Sequence, residues 1–327
     1  MPGENRAVQA DRFRRPVPPG FLTVPMPFLR VIDQAGNKTD YETDYLRRIG
    51  ERIMLEYGIN KILWRTNGIA FKQNDPSRAP LLRSPWRGAM KIEVLADPES
   101  VARRAAAIIA DEAWDAIGER GRFVMAVSGG HTPWLMLRAL GQTSIPWRVV
   151  HIIQVDERVA PAGHADRNLT HIRECLAPYV APEQIYAMPV NSPDLDAAAG
   201  EYTRTVWQIT GFPITLDLVH LGLGPDGHTA SLVPGDPVLD VGSADVALSG
   251  PYQGRRRMTL TYPAINHARR VLWVVTGDEK AGMVNRLLLG DRTIPAGRVC
   301  GDRALLLADC PAAAAYREAA EGVAVCE

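Results

Sequence analysis

The stretch LGLGPDGHTASLVPG, residues 221–235, sets one histidine, His228, among glycines that can bend a chain sharply. An imidazole changes charge near neutrality, so it can take a proton from water and return it to a departing oxygen. Two other stretches offer partners for such chemistry. In VHIIQVDERV an apolar run ends on Asp156, Glu157 and Arg158. The Arg158 guanidinium can fork onto a phosphate or carboxylate, and Asp156 can orient a polar substrate or a histidine. In VMAVSGGHTPWLML, Gly129 and Gly130 let the backbone approach an anion closely, Thr132 can cap the helix that follows, and Pro133 suits its first turn. The free amides of a new helix bind phosphate without any side-chain charge. Further positive groups come later: Arg255, Arg256 and Arg257 before MTLTY, Lys280 after an apolar run and at a helix start, and Arg298 in TIPAGRV.

Each motif also has a plainer reading. The glycine turn fits an ordinary strand-to-helix connection, the DER trio a solvated strand end, His228 a buried histidine with satisfied nitrogens, and the arginine run a face turned to water. Asp226 lies two residues before His228 and need not face its ring, so it is assigned a loop-shaping or orienting role rather than a place in a formal dyad. His164 reads as a surface residue and Asn168 as a helix cap. Ser231 reads as a structural hydroxyl, because no G-x-S-x-G elbow surrounds it. Gly222, Gly224 and Gly227 satisfy G-x-G-x-x-G, yet Pro234, Gly235 and Pro237 stop the helix that a dinucleotide fingerprint needs. No GK[ST] follows SGG, so the earlier turn is not a Walker loop either. No nucleotide cofactor is expected. Cys175, Cys300, Cys310 and Cys326 are scattered without a CxxC pair, which suggests neither a metal site nor a disulfide framework.

The elements that must position these residues alternate. KIEVLA, RFVMAVSGG, WRVVHIIQVDE, TLDLVHLGLG, RRMTLTY, RRVLWVVTG and ALLLAD read as strands; ESVARRAAAIIADEAWDAI, HTPWLMLRAL, NLTHIRECL and DEKAGMVNRLLLG read as helices. Apolar strands alternating with helices predict a three-layer, Rossmann-like α/β domain with a mostly parallel sheet, its ligand loops at the carboxyl ends of the strands.

Composition bounds the partners. The 327 residues are 46% hydrophobic and carry 37 basic and 37 acidic side chains, so a true core is expected, and no global field draws the protein to nucleic acid or an anionic membrane. No apolar run approaches the roughly 20 residues that a membrane-spanning helix needs. A reduced, cytoplasmic protein is expected, as a monomer or homodimer. Residues 1–89 differ in character: RRPVPPG and NDPSRAPLLRSPWRG are turn-rich, ETDYLRRIGERIMLEYG has a helical apolar face, and KILW suits a short strand. The expectation is a partly disordered N-terminal extension over 1–89 and a catalytic domain over 90–327.

In order along the chain, SGGHTP, VDERV, LGLGPDGHTASLVPG, MTLTYPAIN, TGDEK and TIPAGRV resemble the successive motifs of the 6-phosphogluconolactonases. That family belongs to a larger group that includes the glucosamine-6-phosphate deaminases. The likeness spans most of residues 90–310 and leaves out the first 89. It implies hydrolysis of a sugar-phosphate lactone, 6-phospho-D-glucono-1,5-lactone, to 6-phospho-D-gluconate in the oxidative pentose phosphate pathway, without metal or organic cofactor. It implies His228 as the base, with phosphate held by Gly129, Gly130, Thr132, Arg158, Arg257 and Lys280. Asp156 is the candidate to orient the imidazole or the sugar hydroxyls. Two positions depart from the family pattern: His131 stands where serine or threonine is more usual, and Arg167 replaces a serine before Asn168. Two alternatives stay open. One is an amino sugar phosphate isomerase or deaminase, although TASLVPG after His228 differs from the AFNEP-like segment of those enzymes. The other is a noncatalytic sugar-phosphate sensor acting through residues 1–89.

Overall fold

The computed structural model describes residues 90–316 throughout and, before them, the backbone of three strands. The chain divides into two compact units, Met1–Ser84 and Pro85–Glu327, slightly before the boundary expected after residue 89. In the first unit β1 (Phe21–Pro25), β2 (Ile59–Arg65) and β3 (Gly68–Gln73) form an antiparallel sheet in the order β1-β3-β2. β2 contains the KILW segment expected as a strand. The helix expected just before it, and the disorder expected of the extension, lie outside the described residues.

The second unit opens with β4 (Lys91–Leu95) and the long helix α1 (Pro98–Arg120). Local chemistry sets both ends of α1. The Asp97 carboxylate accepts the Ser100 amide at 2.6 Å, Pro98 takes the first turn, and Gly121 closes the helix at φ 74°. Then follow β5 (Phe123–Val127), α2 (His131–Gly141), β6 (Val150–Gln154), β7 (Asp156–Arg158), α3 (Asn168–Leu176), β8 (Ile185–Tyr186) and α4 (Leu195–Thr210). The remaining elements are β9 (Leu218–Leu221), β10 (Val246–Tyr252), β11 (Arg255–Leu260), α5 (Tyr262–Asn266), β12 (Arg270–Val275), α6 (Ala281–Leu288) and β13 (Ala304–Asp309).

Seven strands make one parallel sheet in the order β4-β13-β12-β9-β5-β6-β8. Both faces are covered. Phe123, Met125 and Val127 of β5 pack under α1, α2 and α3, while Val124 and Ala126 face the opposite core with α4, α5 and α6. This is the three-layer α/β architecture that the alternation predicts. The chain runs outward from β5 through β6 to β8, then returns to β9 and runs the other way through β12 to β13. Between β5 and β9 the winding reverses, and the loops that leave their carboxyl ends part to form a crevice.

Two features depart from the expected strands. WRVVHIIQVDE is not one strand: β6 ends at Gln154, and Asp156–Arg158 leaves the large sheet to pair with β11 in a second, antiparallel sheet of order β10-β11-β7. The reason is that Glu157 is buried and claimed elsewhere. Its carboxylate accepts Asn168 N at 2.8 Å and Leu169 N at 2.9 Å, capping α3, and also accepts Gln154 Nε2 at 2.8 Å. The strands β8 and β10 and the helices α4 and α5 are additions to the sequence reading. β10 and β11 join through Gln253 and Gly254, both at positive φ (51° and 78°), as a two-residue hairpin requires.

Candidate active site

The loops after β5, β7, β9 and β12 converge on one cleft of about 550 Å³. Gly129, Gly130, Thr132, Asp156, Arg158, His228, Arg257 and Lys280 all line it. His131 and Asn168 line it too, whereas Arg255, Arg256 and Arg298 do not. Arg255 forms a surface pair with Asp166 at 2.8 Å, and Arg298 reaches Asp240 at 3.7 Å. A larger cavity, about 790 Å³ and lined by Arg167, Leu169, Thr170 and Arg173 among others, holds none of the expected base or anion groups.

The end of the cleft expected to supply the base is built within one loop. The Gly227 amide closes a turn by donating to the Gly224 carbonyl at 3.0 Å, and the Gly224 amide donates to the His228 carbonyl at 2.8 Å. This folding lays the His228 ring over Gly224, where any Cβ would overlap His228 Nδ1 and Asp226 Oδ1. The glycine is therefore required for close approach rather than for a nucleotide. Asp226 Oδ1 lies 2.6 Å from His228 Nδ1 and accepts the His228 amide at 3.1 Å. The Tyr252 hydroxyl donates to Asp226 Oδ2 at 3.1 Å and lies 3.4 Å from His228 Nδ1. Burial alone would raise the Asp226 carboxyl. The hydrogen bonds from His228, its nearby charge and the Tyr252 hydroxyl outweigh that and hold it below the usual carboxylate range. With Nδ1 given to a carboxylate, Nε2 is the nitrogen left to meet a ligand, and it makes no hydrogen bond among the described residues.

The imidazole partner is thus Asp226, not Asp156. Asp156 is buried and spent on scaffolding: its Oδ2 accepts the Ser231 hydroxyl at 2.6 Å, and its Oδ1 accepts Asn168 Nδ2 at 3.2 Å. That first contact also ties the DER strand to the DGH loop and gives Ser231 its structural role. Asp226 was within reach of sequence reasoning, since an aspartate two residues from a histidine in a glycine-bent loop can fold back onto it. Tyr252 carried no such signal; its place depends on the hairpin.

The end expected to hold the anion is assembled from separate elements. Arg158 of β7 and Arg257 of β11 are directly opposed across the small sheet. Two like charges so placed repel one another unless something between them is negative. Neither is fully satisfied: Nε of each is buried without a hydrogen-bond partner. Arg158 Nη1 donates to the Asp166 carbonyl at 2.8 Å. Arg257 Nη2 makes only long contacts, 3.3 Å to Gln253 Oε1 and 3.5 Å to the Tyr252 carbonyl, and Nη1 stands 4.0 Å from Asp156. Burial pushes the Arg257 guanidinium below its ordinary value, partly offset by the charge of Asp156. Facing this pair is the start of α2, where Gly130 sits at φ 133° and ψ 168°, a conformation open to glycine, and no side chain caps the helix. Thr132 does not cap, contrary to expectation; its hydroxyl pairs with that of Thr276 at 2.6 Å and so joins the β5 and β12 loops. Lys280 closes a short 3-10 turn before α6, its Nζ 3.6 Å from Glu279.

Residues 96–307 match the family described as Glucosamine-6-phosphate isomerases/6-phosphogluconolactonase. The chain belongs to this family. A 6-phosphogluconolactonase from Synechocystis is 37% identical over 199 residues, which are 59% of this chain and 82% of that protein. The crystal structure of a 6-phosphogluconolactonase from Thermotoga maritima superposes with a TM-score of 0.61 at 26% identity, over 67% of this chain and 98% of that one. A monomeric glucosamine-6-phosphate deaminase also superposes, with a TM-score of 0.61 over 69% of this chain and all of that one, at 20% identity. That last likeness is one of fold.

Within the family frame, the departure at Arg167 has a local cause. Arg167 is buried; its Nε lies 3.0 Å from Glu157 Oε2 as an ion pair without hydrogen-bond alignment, while Nη1 donates to the Ala160 carbonyl and to Asn191 Oδ1, both at 3.0 Å. It neutralises the buried carboxylate that caps α3, away from the cleft. His131, the other departure, is exposed at the first residue of α2 and faces the anion end. Among the described residues no cluster of three His, Cys, Asp or Glu side chains could hold a metal ion, and no helix is long and apolar enough to cross a membrane.

Proposed function

We propose that this protein hydrolyses 6-phospho-D-glucono-1,5-lactone to 6-phospho-D-gluconate, the ester-hydrolysing branch of its family and a step of the oxidative pentose phosphate pathway. One observation carries the reading: a carboxylate-oriented imidazole and two opposed, under-satisfied arginines share a single cleft. The phosphate would lie between Arg158 and Arg257, against the α2 amides from Gly130 to Thr132, with Lys280 as a further positive group. Charge-assisted contacts at this remote end fix the lactone carbonyl near His228.

His228 Nε2 then removes a proton from water as the water oxygen bonds to C1. The tetrahedral intermediate collapses with cleavage of the C1–ring oxygen bond, and the proton on the imidazolium passes to that oxygen. Asp226 holds Nδ1 and stabilises the imidazolium while the proton is in transit. Asp156 keeps Ser231 and Asn168 in place at the cleft wall. Water is the only co-reactant, so no cofactor is required, and one chain supplies the whole site, as a cytoplasmic monomer or homodimer would allow.

The deciding experiment is hydrolysis of freshly generated lactone by the full chain, coupled to oxidation of the 6-phosphogluconate formed and corrected for spontaneous opening. Turnover that disappears in His228→Asn supports the reading. Ammonia release from glucosamine 6-phosphate, without lactone hydrolysis, would replace it with the deaminase branch; binding of either sugar phosphate without turnover would point to a sensor.

A further inference from the structure

Tyr252 touches both ends of the cleft and lines neither. At the base end, Asp226 is a half-exposed carboxylate whose Oδ1 already serves His228. A carboxylate held by one oxygen can still rock about its terminal torsion. The other oxygen, Oδ2, has Tyr252 as its hydrogen-bond partner, and that contact stops the rotation. The tyrosine ring also packs edge-on to the imidazole, centroids 5.1 Å apart at 64°. At the anion end, the Arg257 guanidinium carbon lies 5.0 Å from the centre of the same ring. A cation held through the face of an aromatic ring keeps its in-plane N–H donors free. Arg257 can thus be fixed in direction without spending the donors that an anion needs.

We infer that Tyr252 is a positioning residue that spaces the base from the anion site, its hydroxyl fixing Asp226 and its ring fixing Arg257. This inference rests on the lactonase reading above and names the residue that registers the two halves of that site. Tyr252 is suited to the task because it is the last residue of β10, paired with Arg255 across the Gln253–Gly254 turn, so its backbone is set by the hairpin. Burial, then the charge of Asp226, push its phenol above the ordinary value.

The test uses the full chain and two substitutions that separate the two contacts. Tyr252→Phe keeps the ring and removes the hydroxyl: kcat should fall about tenfold with KM within about twofold, the loss of one hydrogen bond to a charged group. In an Asp226→Asn background the same substitution should change kcat by less than about twofold, because the partner it acts through is already altered. Tyr252→Leu should add a rise in KM of about fivefold, since Arg257 loses its platform. An unchanged kcat in Tyr252→Phe, or an equal loss in both backgrounds, would overturn the inference, and Tyr252→Phe decides it even if the leucine variant does not fold. Absence of lactone hydrolysis by the unsubstituted chain would instead overturn the functional reading itself.

Discussion

His228 receives its carboxylate from its own loop, two residues away, whereas Arg158 meets Arg257 on a strand far along the chain. The base end is also chemically closed: Asp226 is engaged through both oxygens, and one imidazole nitrogen is spent. The anion end is open, with two buried guanidinium nitrogens unpartnered and a helix start uncapped by any side chain. A site can thus be preorganised in two ways. The reacting group is fixed by satisfying all but one of its polar atoms, and the anchoring group is poised by leaving several unsatisfied until the substrate arrives.

Substitutions at the two ends should therefore fail differently. His228→Asn removes the base and leaves the anchor. A kcat loss of about a thousandfold is expected, with KM nearly unchanged; a loss confined to KM would place His228 among the binding groups. Gly224→Ala attacks the same end indirectly, because the new methyl group would occupy the space of His228 Nδ1. A fall in kcat of about a hundredfold is expected, with overpacking costing about 1–3 kcal/mol of stability. Normal turnover by a folded Gly224→Ala protein would mean that the close approach has no bearing on the base.

The two ends were also unequally legible in the sequence. The local pieces are readable: SGG followed by a helix and a histidine in a glycine-bent loop lie where expected, because each depends on neighbours within a few residues. The parallel sheet was readable for the same reason, through its alternating apolar strands. Of the two roles expected for Asp156, the imidazole contact falls to Asp226, because the DER segment is not the end of a core strand; Asp156 still lines the cleft. The buried Glu157 instead draws the segment into a separate sheet and turns Asp156 toward Ser231. Tyr252 carries no signal in the sequence because the hairpin that holds it has as its turn signal only the Gln253–Gly254 pair. Long-range pairing, rather than composition, decides which side chains meet there.

At the anchoring end the expected signs of stability and function are opposite. Arg257→Met removes a buried charge that faces Arg158 and has weak partners, so the ligand-free protein should keep or gain thermal stability. The same change should raise KM for the proposed lactone substrate about ten- to a hundredfold. Calorimetric melting with and without inorganic phosphate checks both halves: phosphate should raise the midpoint of the unsubstituted protein and leave that of Arg257→Met where it was. A variant that melts much earlier yet keeps its phosphate response would show that Arg257 holds the fold and not the anion.

A second histidine sharpens the comparison from beneath. His220 lies on β9, eight residues before His228, and is fully buried. Its Nδ1 accepts the Ser128 amide at 3.3 Å, its carbonyl accepts the Ser128 hydroxyl at 3.1 Å, and its Nε2 is buried without a partner. It therefore braces the residue that begins the glycine turn of the anion end and must stay neutral to do so; burial pushes its pKa down to about 3 from 6.5. In the unfolded chain the ring gains a proton below its ordinary value, so acid favours unfolding. The contribution of His220 to stability is complete above about pH 6.5 and is lost as the pH falls from there toward 3, at about 1.4 kcal/mol per pH unit over the steep part. Urea midpoints near pH 7 and near pH 5 should diverge less in His220→Asn than in the unsubstituted protein, by the equivalent of one proton. Equal divergence in both proteins would mean that the ring under the glycine turn is already charged or hydrated, and the rigidity ascribed to that end of the cleft would need another source.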